Sequence, residues 1–321
     1  MYYFILLIAL LSAELLYFRL ADNFNIIDKP NERSSHSRIT LRGGGIVFPV
    51  GILIYFFSDG FEYLWFVSGL LLIAGVSFVD DIRGVSQKVR LLFHMTAILL
   101  LFCQWELFSL SWYYLFLVLI LCIGIINAYN FMDGINGITG GYSLAVVGML
   151  WYIDRYVVSF IDPGLLYVTG LSLLVFNFFN FRKKAKCFAG DVGSVSMAFV
   201  ILFILGKLIL RTQDLSYMIL LVVYGIDSLL TIVHRIILRE NIFEAHRKHA
   251  YQLLANELKW PHTCVATIYM VVQILIFAGY VWLHEWKFYY LMGVILTLSF
   301  IYCGLIGKYC KLHRGGGEQA F

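Results

Sequence analysis

The chain has 321 residues, of which 61% are hydrophobic and 14% charged, and its mean hydropathy is +0.82. A soluble globular domain carries roughly 25% charged residues, so this composition excludes one and points to a protein solvated by lipid. The formal net charge of +4 comes from basic residues in the gaps between apolar stretches, which reflects membrane topology and implies no nucleic-acid partner.

A helix that crosses a bilayer needs about 20 mostly apolar residues. Eleven stretches approach that length: 2–20, 44–58, 63–79, 91–103, 112–126, 141–153, 164–180, 194–210, 217–237, 263–283 and 288–307. The predicted fold is all-α, a polytopic integral membrane protein of about eleven transmembrane helices forming one domain over 1–321. The shorter stretches require tilt or run on into their flanks. The first lacks a basic leader and a small-residue cleavage site, so it reads as a retained helix rather than a signal peptide. Loops after the odd-numbered stretches, with the tail, hold eighteen Lys and Arg residues against three in the opposite set. Cytoplasmic loops are enriched in these residues, so the N-terminus is expected outside and the C-terminus in the cytoplasm. The cytoplasmic motif loops then lie near 21–43, 80–90, 127–140, 181–193 and 238–262. The six cysteines have no paired spacing and read as small apolar packing residues.

The first loop, DKPNERSSHSRITLRGGG from Asp28, gathers Arg33, His36 and Arg38 around Pro30 and Asn31, cations suited to a phosphate. Asp80 and Asp81 close the third stretch. Neighbours on a helix point about 100° apart, so the two are expected to meet different partners. One can approach a reacting phosphate while the other pairs with Lys88, Arg90 or a metal. The alternative is an acid pair with no chemistry, at a helix C-terminus that disfavours anions. Asn127, Asn130, Asp133 and Asn136 recur every three residues. On a helix they form one polar stripe, but Gly134 and Gly137 predict a break after Asp133. Such groups beside apolar spans are costly unless wet or engaged, which leaves a ligand site or an inter-helix hydrogen-bond ladder.

Asp191 follows Gly190 and precedes Gly193-Ser194 at the start of the eighth stretch. Glycines allow close backbone approach, and a helix N-terminus presents free N–H groups to anions. A carboxylate here can ligate Mg²⁺ bridging a diphosphate, or serve as a plain N-cap. Lys186, just upstream, can hold a phosphate. Phe188, at the boundary, either covers a base or anchors the lipid interface. In the last loop, Ile242, Ala245, Ala250, Leu253 and Leu254 alternate with charges between Arg239 and Pro261, which predicts an amphipathic helix on the membrane surface. His246 and His249 share a face of it, with Arg247 and Lys248 between. No further ligand cluster accompanies this pair, so contacts to a nucleotide or diphosphate suit them better than zinc.

Five segments together resemble the polyprenyl-phosphate N-acetylhexosamine-1-phosphate transferase family over nearly the whole chain. They are Asp28, Pro30, Asn31, Arg33 and His36 with Arg42 to Gly45; the pair Asp80-Asp81; Asn127 to Gly137; Phe188 to Ser194; and the histidine-bearing last loop. The resemblance implies that Asp191 and Asn130 hold a catalytic Mg²⁺, for which Mn²⁺ can substitute. It implies Asp80 and Asp81 at the acceptor phosphate, Asp133 and Phe188 near the nucleoside, and His246, Arg247 and His249 around the diphosphate or sugar. Asn127, Asn136, Lys186, Arg33, His36 and Arg42 complete the substrate-binding set. The AHRKHAYQ form of the last loop is similar to the branch that primes O-antigen and related glycans. Two positions depart from the pattern: Asn136 stands where many members have a second aspartate, and Leu41 where a proline often precedes RGGG. The implied reaction joins a UDP-N-acetylhexosamine to undecaprenyl phosphate and releases UMP, in the bacterial inner membrane with the site on the cytoplasmic face; a homodimer is compatible. A secondary transporter or channel for an anionic metabolite is the competing class, but it calls for charges along a path open to both faces. An alcohol phosphatidyltransferase needs further spaced aspartates beyond the Asp133-Gly134 start.

Overall fold

The computed structural model describes residues 1–28, 39–241 and 247–314. It is a bundle of helices: α1 Tyr2–Asn23, α2 Val47–Ser58, α3 Leu64–Arg83, α4 Gln87–Gln104, α5 Trp112–Met132, α6 Ile138–Tyr156, α7 Pro163–Asn180, α8 Gly190–Thr212, α9 Val222–Ile237, α10 Ala250–Gln252, α11 His262–Trp282 and α12 Lys287–Arg314. Every one of the eleven apolar stretches falls on a helix. Among the described residues, eight helical segments are long and apolar enough to cross a membrane, rather than eleven. The helix Gly44–Ser58 is shorter, and its regular part, α2, spans about 18 Å at 1.5 Å per residue, against a hydrocarbon core of about 30 Å. Polar residues dilute the others: α4 opens on Gln87, Lys88 and Arg90, and α6 opens on Thr139 and two glycines and closes on Asp154 and Arg155.

Helix α8 is the hub. Its most apolar window is 83% buried, against 11% for the segment containing α12, so it meets protein where α12 meets lipid. It packs against α3, α5 and α6. Phe66 of α3 stacks on Phe203 of α8 at 4.0 Å between centroids, and Gly69 of α3 leaves room for Phe199. Burying these aromatic faces fixes α8 against α3, and with it the position of the polar residues at the start of α8.

Two short strands, β1 Ile27–Asp28 and β2 Thr40–Leu41, pair antiparallel. Leu41 also bridges Cys187 in parallel. The loop after α1 is thereby stitched to the loop before α8, although about 150 residues separate them in the chain. The last loop departs from expectation. The described part is not a surface helix: α10 is one short turn that runs into a π-helical turn, Leu253–Glu257. Ala250, Tyr251, Leu253 and Ala255 are buried in protein. Of the apolar residues that suggested a lipid-facing stripe, Ala250 and Leu253 are instead drawn inward where a carboxylate of α9 binds the backbone at the start of this turn, while Ile242 and Ala245 lie outside the described residues.

Candidate active site

The polar ends of α3, α4, α5 and α8 meet at one place. Asp81, in the last turn of α3, reaches across to α8 and accepts the backbone N–H of Asp191 at 2.9 Å and of Val192 at 3.0 Å. The free amides at the start of α8, which the sequence offered to a ligand, are thus taken by a carboxylate of the protein itself, a capping arrangement that also suits the helix dipole. Arg42 Nε lies 2.7 Å from the same carboxylate. The side chain of Asp81 is 0% exposed, so its role is to bind the centre together.

Asp80 points elsewhere, as neighbours on a helix must. Its Oδ1 accepts the N–H of Val85 at 2.5 Å, and its Oδ2 lies 2.7 Å from Arg90 Nη1. That same nitrogen is 3.3 Å from Asp191 Oδ2, while Arg42 Nη2 is 3.6 Å from Asp191 Oδ1. Two guanidinium groups therefore bridge three carboxylates. Asp191 is the most open of the three, with 17% of its side chain exposed, and Arg42 and Arg90 are more open still at 34% and 28%. The groups that can meet a ligand are one carboxylate and two cations.

Glycines make the approach possible. The N–H groups of Gly44 and Gly45 bind the carbonyls of Phe188 and Ala189 at 2.8 and 3.1 Å. A Cβ on Gly45 would lie 2.2 Å from Gly193 Cα, so backbone touches backbone here. Gly190 has φ +71°, and a Cβ there would meet Asp81 Oδ2 at 2.5 Å. The RGGG stretch and the F-x-G-D-x-G-S stretch are two halves of one contact.

The α5 ladder divides in function. Asn130 Oδ1 accepts the Ser194 hydroxyl at 3.0 Å, tying α5 to α8. Asp133 follows the last residue of α5 and accepts the Thr139 hydroxyl at 2.6 Å. Burial pushes its carboxyl up to about 6, despite that hydrogen bond. Asn136 is buried and donates to the carbonyl of Arg182 at 3.0 Å, which supports the loop after α7. Asn127 is half-buried one turn before Asn130. Lys186 is exposed, with its ammonium 5.9 Å from the Phe179 ring, and Phe188 is half-buried beside the glycine contact.

His249 joins from the other side. It is 1% exposed, with Nδ1 3.3 Å from Asp227 of α9. The neighbouring Tyr251 hydroxyl donates to the carbonyl of Phe131, beside Asn130 and Asp133, at 2.9 Å. Arg247 is half-buried. Arg33, His36 and His246 lie outside the described residues. Two groups escape a reading of the sequence. Asp227, a carboxylate inside a span, carried the signal that such residues are costly and engaged. Glu14 of α1 carried the same signal; it is buried, with the Cys187 thiol 3.8 Å from its Oε1. Arg90, which the sequence offers as a partner of the aspartates, stands between Asp80 and Asp191.

Oxygen donors for a divalent cation are present in Asp191 and Asn130, and an amide oxygen already bonded to Ser194 keeps a second lone pair. Among the described residues no three His, Cys, Asp or Glu side chains form a ready metal cage. Mg²⁺ usually takes few protein carboxylates and completes its shell with substrate phosphate and water.

A helical membrane protein with a carboxylate–arginine centre at the ends of its spans is suited to holding a phosphorylated group. Residues 63–208 match the family described as glycosyl transferase family 4. That match covers less than half of the chain, and the relatives that extend it are undecaprenyl-phosphate N-acetylglucosaminyl 1-phosphate transferases. It is similar to the probable undecaprenyl-phosphate N-acetylglucosaminyl 1-phosphate transferase of Bacillus subtilis, with 26% identity over 79% of this chain and 76% of that protein. The undecaprenyl-phosphate alpha-N-acetylglucosaminyl 1-phosphate transferase of Escherichia coli K12 is 30% identical over 58% of this chain, and the match spans 56% of that relative's length. The Thermotoga maritima protein of the same name is 24% identical over 93% of both chains. The family match contains Asp80, Asp81, Asn130, Asp133 and Asp191, while Arg42, Asp227 and His249 lie beyond it.

Proposed function

We propose that the chain transfers N-acetylhexosamine 1-phosphate from a UDP-sugar to undecaprenyl phosphate, releasing UMP and giving the lipid diphosphate-sugar that starts an O-antigen or another surface glycan. The site faces the cytoplasm, in a bacterial inner membrane. One observation carries this reading: three loops far apart in sequence converge where Arg42 and Arg90 bridge Asp80, Asp81 and Asp191, and the end of α5 joins them through the Asn130–Ser194 hydrogen bond.

An oxygen of the lipid phosphate attacks the sugar-linked phosphorus. The new P–O bond forms as the bond to the UMP phosphate breaks, and the electron pair leaves with UMP. A phosphomonoester has its second pKa near 6, so the acceptor is already mostly ionised and needs no strong base. Positioning and charge stabilisation then dominate. Arg42 and Arg90, the exposed cations, hold the phosphates; Asp80 keeps Arg90 in place and orients the acceptor; Asp81 holds Arg42 and the start of α8 in register. Asp133, Phe188 and Asn127 line the nucleoside end, while Lys186, Arg247 and His249 serve the diphosphate and sugar. Mg²⁺ held by Asp191 and Asn130 would neutralise charge on the diphosphate and on the departing UMP. Purified protein given UDP-N-acetylglucosamine, undecaprenyl phosphate and Mg²⁺ is expected to release UMP; no turnover with any UDP-N-acetylhexosamine counters the reading.

A further inference from the structure

Asp227 is the sixth residue of α9 and is 4% exposed. A carboxylate inside a span persists only if engaged, and this one accepts four hydrogen bonds and faces an imidazole nitrogen. Its Oδ1 accepts the Ala250 N–H at 2.9 Å and the Thr231 hydroxyl at 3.3 Å, and faces His249 Nδ1 at 3.3 Å. Its Oδ2 accepts the Tyr269 hydroxyl at 2.6 Å and the Tyr251 N–H at 3.4 Å. Three of these five contacts come from the consecutive residues 249, 250 and 251. The carboxylate thus grips the cytoplasmic loop directly after Arg247.

The grip has a second jaw. Tyr251 donates to the Phe131 carbonyl at 2.9 Å, and its ring fills the space left at Gly134. The His249 ring neighbours the Tyr251 and Phe131 rings, with centroids 5.7 and 6.3 Å away. Fixed in this way, the ring stands beside the end of α5, where Asn130 and Asp133 lie. The two nitrogens of an imidazole sit on opposite flanks, so a ring tethered through Nδ1 turns Nε2 away from Asp227. The partner of one ring nitrogen sets which nitrogen carries the proton and how the ring is aimed.

We propose that Asp227 is a positioning residue of the transferase site, acting through His249: it holds the Nδ1 proton and aims the ring, and with it Arg247, at the sugar-phosphate end of the UDP-sugar. The substrate named here rests on the function proposed above; the Asp227–His249 linkage does not. Nothing about the lipid acceptor passes through this contact, because the acceptor is assigned to the Asp80 and Arg90 side of the centre.

The test is a double-mutant cycle on the purified full-length protein, using Asp227→Asn, His249→Ala and both together. Asp227→Asn is expected to raise KM for UDP-N-acetylglucosamine about tenfold, the lower end of what outer-shell partners supply, with KM for undecaprenyl phosphate unchanged within about twofold. On the His249→Ala background the same change is expected to have no further effect beyond about twofold, because residues acting as one unit are not additive. Additive losses, an equal rise in both KM values, or a fully active Asp227→Asn overturn the proposal. If Asp227→Asn does not survive purification, Asp227→Glu replaces it in the cycle, keeping the charge but moving it one methylene. A second readout needs no turnover: ¹⁵N-histidine NMR, with His249 assigned by its Ala variant, is expected to show Nδ1 protonated. An unprotonated Nδ1 overturns the proposal. Absence of turnover with every UDP-sugar would instead overturn the transferase reading and leave the NMR result standing.

Discussion

Gly45→Ala is the sharpest single perturbation of the centre. The added Cβ would sit 2.2 Å from Gly193 Cα and 3.0 Å from the Ala189 carbonyl oxygen, where ordinary contact begins at 3.4 Å. Both obstacles are backbone, so no side chain can swing aside. The first loop must retreat by about 1.2 Å, which costs about 1–3 kcal/mol as overpacking. Arg42 rides on the same loop, and its 2.7 Å contact with Asp81 would open to about 3.9 Å, past hydrogen-bonding range. A misplacement of about 1 Å in a positioned group costs on the order of 10²-fold in rate. UMP release by purified protein is therefore expected to fall roughly 10²-fold in Gly45→Ala, with a lowered Tm. Gly75→Ala is the control, since a Cβ there meets nothing within 4 Å. Near-normal turnover in Gly45→Ala, or an equal loss in Gly75→Ala, would refute the claim that backbone contact between these loops sets the site.

Three other outcomes are expected. Asp191→Asn keeps the size of the side chain but not its charge, so UMP release should drop on the order of 10²-fold across a Mg²⁺ titration while the protein elutes as a folded species; wild-type turnover removes Asp191 from the cation. Burial lifts the Asp133 carboxyl from 3.8 to about 6, so the folded chain holds that proton more tightly than the unfolded chain. Its contribution to stability is complete below the unfolded value and is lost as pH rises through about 6. Asp133→Asn cannot ionise, so its Tm relative to wild type should climb between about pH 4 and about pH 6 and level off above about pH 7; a flat difference across that window argues against the buried carboxyl. A reporter fused after Phe321 should be read in the cytoplasm, and an external signal reverses the assignment of every motif loop.

Much of this architecture was legible because membrane proteins write their spans in hydropathy. All eleven apolar stretches became helices, and the polar groups of α3, α5 and α8 came together as their shared sidedness required. The pairing was not legible. Nothing local in the sequence says that Asp81 caps α8, because that bond crosses 110 residues and depends on the Phe66–Phe203 packing. Asn136 read as a substrate group by its spacing, yet its amide is spent on the Arg182 carbonyl, a contact set by where the loop after α7 passes. The last loop misled because an apolar residue facing lipid and one facing protein look alike in sequence. Asp227 decided between them, and a lone acid in an apolar stretch gives no hint of which backbone it will bind.

The central claim is most directly tested by UMP release from a panel of UDP-sugars, with undecaprenyl phosphate and Mg²⁺ each present or omitted. The account predicts release with at least one UDP-N-acetylhexosamine that needs both the lipid phosphate and the cation. Release that ignores undecaprenyl phosphate, or no release from any member of the panel by folded protein, would contradict it.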